Sequence, residues 1–177
     1  MKIISSRKSF IPLIFCLTGC SHQQDKKNEE TRVFSEQGAK EQFVVANQKQ
    51  LQKENDEIAY YITTHKLPFV TNASGIRYYV YKPSAAGDSV RENMEITIDY
   101  SVSLLDGTVV YSSSQSGPKT FVVGNGDIES GIHTGVKYLK RGDKALFILP
   151  SALAHGLLGD MNKIPPHMPI VYDVFVH

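Results

Sequence analysis

The side chains that could do chemistry in this 177-residue chain are few and scattered. His133, His155, His167 and His177 show no metal-ligand spacing, so loop or surface positions are expected for them. The run Ser112-Ser113-Ser114 has no histidine and carboxylate partners in motif form and reads as a loop rather than a nucleophile. Gly124-Asn125-Gly126 precedes an expected helix but lacks the third glycine of a dinucleotide site and its βαβ setting. Arg141-Gly142-Asp143 is more simply a turn after a helix than a recognition tripeptide. With 19 Lys and Arg against 18 Asp and Glu, the chain offers no electrostatic footprint for nucleic acid.

Cys20 has the most informative surroundings. Lys2, Arg7 and Lys8 precede an apolar run from Phe10 to Leu17, which is too short to cross a hydrocarbon core of about 30 Å. The junction Leu17-Thr18-Gly19-Cys20 resembles the lipobox of bacterial lipoproteins. That resemblance implies a signal peptide over residues 1–19, cut before Cys20, whose sulfur receives a diacylglycerol. Several acyl chains on one residue give stable anchoring where a single chain does not. With Cys16 removed and Cys20 acylated, no disulfide, thiolate nucleophile or cysteine metal ligand is expected. The expected location is the bacterial cell envelope, lipid-anchored on the periplasmic side of the inner or outer membrane.

The elements follow in order along the chain. Residues 20–39 are rich in Gln, Lys, Asn, Glu and Ser, bury little, and are expected to form a flexible tether. Residues 40–67 favour helix, with Val44, Leu51 and Ile58 seven apart and Tyr61, Ile62 and His65 extending that side. This predicts an amphipathic arm ending before Pro68, and residues 40–66 are also a candidate homodimer contact. Beyond Pro68 the period becomes two. Strands are expected at 76–81, 94–104, 108–112, 120–123, 144–149 and 170–176. Met94, Ile96, Ile98, Tyr100, Val102 and Leu104 alternate with polar residues, as in an antiparallel sheet with one wet face. Asp106-Gly107 marks a hairpin turn. Asp127 stands at a helix N-cap, and Ile128, Ile132, Val136 and Leu139 give that helix one apolar face up to Lys140-Arg141-Gly142. Residues 150–169 form a long loop, a kind that is usually functional in a small domain. The result is an α+β domain over 68–177, a curved antiparallel sheet wrapped around one short helix.

This order, and the motifs on it, resemble the FKBP-type peptidyl-prolyl isomerases from about Gly75 to His177. The matching pieces include Ile98-Asp99-Tyr100, Leu105-Asp106-Gly107, Gly124-Asn125-Gly126-Asp127-Ile128, Ala154-His155-Gly156, Ile164-Pro165-Pro166 and Val171-Tyr172-Asp173-Val174. Lipobox, polar tether, helix and such a domain together are similar to the gliding-motility-associated FKBP-type lipoproteins. The resemblance implies isomerisation of X-Pro bonds in proline-containing polypeptides, with no cofactor. It implies a proline cup lined by Tyr100, Val110, Phe121, Ile128, Ile132, Ile164 and Tyr172, with Tyr111 and His155 at the rim. The backbone N–H of Glu129 is the implied donor to a substrate carbonyl, since the first turn of a helix leaves such groups free. Periodicity alone would read Tyr100, Phe121 and Ile128 as core.

The chain departs from the family pattern at several of these positions. Val110-Tyr111 stands where the family has an aromatic followed by aspartate, Ile132 where it has a tryptophan floor, and Lys119 where a pocket aromatic is common. His155 replaces a tyrosine donor, and histidine changes charge near neutral pH. A shallower, less aromatic cup is expected. The rival reading is a weakly active or inactive binding module of an envelope complex.

Overall fold

The computed structural model describes residues 22–126 and 128–177, with side chains from Gly38 onward. Cys20, the signal segment and Asp127 lie outside the described residues. The chain divides into two compact units between Val45 and Ala46. Helix α1 spans His22–His65, so it begins earlier than expected and takes in most of the segment read as a tether. Gln23, Gln24, Lys26, Lys27, Glu29, Glu30 and Arg32 explain this. They are good helix formers, and a segment too polar to build a core can still be helical.

The second unit is built on a seven-stranded sheet: β1 Val70–Thr71, β2 Arg77–Lys82, β3 Glu95–Leu104, β4 Val109–Ser112, β5 Lys119–Val122, β6 Lys144–Leu149 and β7 Ile170–Val176. The order is β1-β2-β6-β7-β3-β4, all pairs antiparallel, with β5 also pairing β3. Register shifts at Val80/Lys82 and at Val102/Ser103 mark irregularities of the bulge type, which bend strands. The Asp106-Gly107 turn is as expected: the Asp106 carboxylate accepts the Thr108 N–H at 2.9 Å, and Gly107 takes φ +88°.

Helix α2, Ser113–Ser116, and helix α3, Ser130–Gly135, are both short. α3 is shorter than its apolar spacing predicts. Val136–Tyr138 is a 3-10 turn and Leu139 is extended, because Val136 and Leu139 point inward without needing α-helical backbone. The N-cap of α3 is Glu129, which makes no side-chain capping bond. Gly142, expected to close that helix, instead sits in the turn before β6, where its N–H donates to the Val176 carbonyl. Asp143 is buried there and accepts the Ser84 and Lys140 N–H groups, which fits a turn and not an exposed tripeptide.

Both faces of the sheet centre are covered. On one, Ile132, Val136 and Leu139 pack against Ala145, Phe147 and Leu149 of β6 and the inward residues of β3 and β7. On the other, Ile148 and Val171 pack against Ile58, with Tyr61, Ile62 and Leu146 around them. The C-terminal part of α1 therefore belongs to the domain. Earlier on α1, Val44 and Leu51 remain about half exposed, so the seven-residue stripe is only partly used.

Candidate active site

Alternation along β3 sends Ile98, Tyr100 and Val102 to the same side as the core, and the β3–β7 register sets Val102 opposite Tyr172. The Tyr100 and Tyr172 rings lie 6.3 Å apart. Beside them stand Ile128 and Glu129 at the start of α3, Tyr111 on β4, Lys119 on β5, and His155, Asp160 and Asn162 from the loop after β6. Together these enclose a cavity of about 350 Å³.

Two polar clusters shape it. In the first, His155 Nε2 lies 3.0 Å from Glu129 Oε1, and the Tyr172 phenol is close enough to the Glu129 carboxylate to feel its charge. Burial, and then the Glu129 charge, hold the Tyr172 phenol well above its ordinary range, so it stays a neutral donor. In the second, the Tyr111 hydroxyl donates to Asp160 Oδ2, while Asp160 Oδ1 accepts the Asn162 N–H at 2.9 Å and the Ile164 N–H at 2.7 Å. Burial would raise the Asp160 carboxyl, but the Tyr111 hydroxyl and these backbone donors outweigh it and hold it at about 2. The same bond raises the Tyr111 phenol. Lys163 Nζ lies 5.0 Å from the centre of the Tyr111 ring and donates to the Val110 carbonyl at 2.9 Å. Tyr100 Oη is 2.8 Å from Ser116 Oγ, so α2 holds that phenol at the rim.

Of the residues read from sequence, Tyr100, Tyr111, Ile128, Glu129, His155 and Tyr172 all line the cavity. Val110, Phe121, Ile132 and Ile164 do not. They are at most 8 % exposed and belong to the hydrophobic core. Asp160 and Asn162 went unread, because their partner Tyr111 is 49 residues away from Asp160 and the loop that carries them has no period. Glu129 was read for its backbone N–H, and its carboxylate proves to be a wall of the cavity. Among the described residues no cluster of three or more His, Cys, Asp or Glu side chains is placed to hold a metal ion.

The arrangement suits binding by shape and hydrogen bonding. Ile98, Val102 and Ile128 offer apolar surface, and phenols stand at its edge as neutral donors.

Comparison with known proteins gives the family of this chain. The chain is 36 % identical over 105 residues to the probable FKBP-type peptidyl-prolyl cis-trans isomerase FkpA of Neisseria meningitidis serogroup B, covering 59 % of this chain and 38 % of that protein. It is 33 % identical over 103 residues to FkpA of Buchnera aphidicola from Schizaphis graminum, covering 58 % and 40 %. It thus spans about two-fifths of the length of these curated relatives. The crystal structure of FkpA from Escherichia coli matches 87 % of this chain and 69 % of that one, with a TM-score of 0.62 at 26 % identity. A profile of the FKBP-type peptidyl-prolyl cis-trans isomerase family matches residues 87–177, the segment that supplies all eleven cavity residues, and the chain belongs to that family.

Proposed function

We propose that this protein accelerates cis–trans isomerisation of X-Pro bonds in proline-containing polypeptides. One observation carries the reading: the cavity joins the apolar side chains of Ile98, Val102 and Ile128 to the phenols of Tyr100 and Tyr172. The amide barrier of about 18–20 kcal/mol arises from resonance that a twisted C–N bond lacks. X-Pro bonds cross it in tens to hundreds of seconds unaided. A cup that holds the ring in apolar contact, keeps water away and gives the rotated carbonyl a donor favours the twisted amide over either planar form. Tyr100 and the Glu129 N–H are the donors assigned here, and no covalent intermediate or cofactor enters.

The setting belongs to the same proposal. Lipid on Cys20 would hold the domain at an envelope membrane, where exported chains, gliding-machinery components among them, are the clients. Mass spectrometry of the purified chain tests this: an unmodified Cys20 after expression in a lipoprotein-processing host removes the anchor.

A second reading, a binding module without turnover, is favoured by the polar load of the cup. Glu129, His155, Asp160 and Lys119 all line it, and His155 and Lys119 stand where the family pattern has aromatic residues. A protease-free isomerisation assay on proline peptides separates the two. Turnover above buffer supports the enzyme, and a rate equal to buffer in a folded sample leaves only binding. Given turnover, Ile128→Ala and Tyr100→Phe should each lower kcat/KM about tenfold without unfolding the domain, a common cost for losing one transition-state contact. Unchanged rates in both would mean that the cavity is not the site.

A further inference from the structure

Glu54 is the most buried charged side chain of the described residues, at 3 % exposure, and it lies on α1, outside the cavity. A carboxylate is costly to bury unless its oxygens are hydrogen-bonded. Both of its oxygens go to one residue: Oε1 accepts the Ser151 N–H at 2.5 Å and Oε2 accepts the Ser151 hydroxyl at 2.8 Å. Arg77 provides a favourable charge nearby, and its guanidinium is held to the next residue of the helix, Asn55, at 2.7 Å.

Ser151 is itself a junction. It is buried, it opens the loop that follows β6, and its carbonyl accepts the N–H of Ala154 at 3.0 Å and of Gly156 at 2.7 Å. Those two amides flank His155, whose imidazole meets Glu129 inside the cavity. A continuous line of hydrogen bonds therefore runs from Glu54 through Ser151 to the backbone on both sides of His155. Further along, the Gly156 carbonyl accepts the His167 N–H at 3.0 Å and Asp160 accepts the Asn162 and Ile164 N–H groups, so Ser151 is the anchor on the β6 side of His155.

We infer that Glu54 is a positioning residue for the pocket: it pins Ser151, and through Ser151 it sets where His155 stands. Its effect on turnover rests on the isomerase reading, while its effect on the loop does not. A misplacement of about 1 Å in a catalytic site can cost a hundredfold in rate, so even a small relaxation of this line is measurable.

The test uses the full chain and four variants, Glu54→Ala, Glu54→Gln, Ser151→Ala and Ile58→Val. It reads three quantities: kcat/KM on a proline tetrapeptide, the side-chain resonances of His155, and hydrogen exchange at the Ala154 and Gly156 amides. Glu54→Ala is expected to lower kcat/KM about tenfold, to move the His155 resonances and to speed exchange at both amides. Glu54→Gln keeps an acceptor for the Ser151 N–H and should stay within about twofold of the parent. Ile58→Val loosens the same helix against Ile148 and Val171 and should lower stability with all three readouts unmoved. If Glu54→Ala does not fold, Ser151→Ala, which removes only the hydroxyl bond, should still move the resonances and the exchange.

Resonances and exchange that match the parent in Glu54→Ala, or in Ser151→Ala where it stands in, overturn the inference. Movement of equal size in Ile58→Val overturns it as well, because the effect would then be general loosening. A parent chain without turnover, whose His155 resonances and amide exchange nevertheless respond to Glu54→Ala alone, removes the isomerase reading and leaves the positioning role standing.

Discussion

Tyr111 and Asp160 are paired although 49 residues separate them. The strand position that the family pattern gives to an aspartate carries a phenol, and the carboxylate arrives from the loop to accept the bond from that phenol. Because the Asp160 carboxyl is lowered to about 2, its contribution is fully present above the unfolded value of about 4 and is lost as pH falls toward 2. The stability difference between the parent and Asp160→Asn should therefore be constant from neutral pH to about 4 and shrink below it. Urea titrations at several pH values check this; a difference that grows on acidification would contradict the assignment. Lys119 offers a second residue-level test. It is exposed at the cavity edge, and Lys119→Phe adds apolar surface worth about 1 kcal/mol, which should tighten binding of an apolar proline peptide about fivefold. Isothermal calorimetry reads it directly, and unchanged affinity would mean that this edge does not meet substrate.

At the scale of elements, what was legible in sequence is what repeats. The alternation of Met94 to Leu104 marked β3, and its even positions did turn inward. The Asp106-Gly107 turn and strands β6 and β7 followed the same logic. Residues that serve packing without serving a period misled: Val136 and Leu139 face the core from a 3-10 turn and an extended residue, so they lengthened the expected α3. Ile132, expected at the cavity floor in place of a larger ring, is instead wholly buried and not among the residues that line the cavity. The closeness of α3 to the sheet also has no sequence period, yet it sets where Ile128 and Glu129 stand. A methyl group on Gly135 would meet Phe147 Cε1 at 2.8 Å, and one on Gly131 would meet Leu149 Cδ2 and the Leu153 carbonyl oxygen at 2.8 Å. Alanine in an exposed helix gains about 1 kcal/mol over glycine. Here overpacking should reverse the sign, so Gly135→Ala is expected to cost about 1–3 kcal/mol in urea denaturation. A stabilised Gly135→Ala would show that α3 has room to move away from β6.

At the scale of the whole molecule, the stripe on α1 is used unevenly, and the uneven use bears on assembly. Ile58 is fully buried against Ile148 and Val171, whereas Leu51 is 52 % exposed on the same helix, and Phe43, Val44 and Val45 are exposed further up. Within the described residues no helix is long and apolar enough to cross a membrane. A helix with an exposed apolar seam gains by pairing with another such seam, and residues seven apart are the spacing at which two helices meet repeatedly. Once Ile58 is committed to its own domain, Leu51 is left half exposed in the second unit, and Phe43, Val44 and Val45 are exposed in the first. The proposed partner is a second copy of the chain, which would present the same side chains, and two-fold pairing is the commonest form of self-association. Sedimentation equilibrium should then find a dimer for the chain from residue 22 and a monomer for Val44→Glu/Leu51→Glu, which places like charges in the seam and leaves Ile58, Glu54 and the cavity untouched. Dimers in both would move the contact elsewhere on the molecule, and monomers in both would leave the seam without a role in self-association.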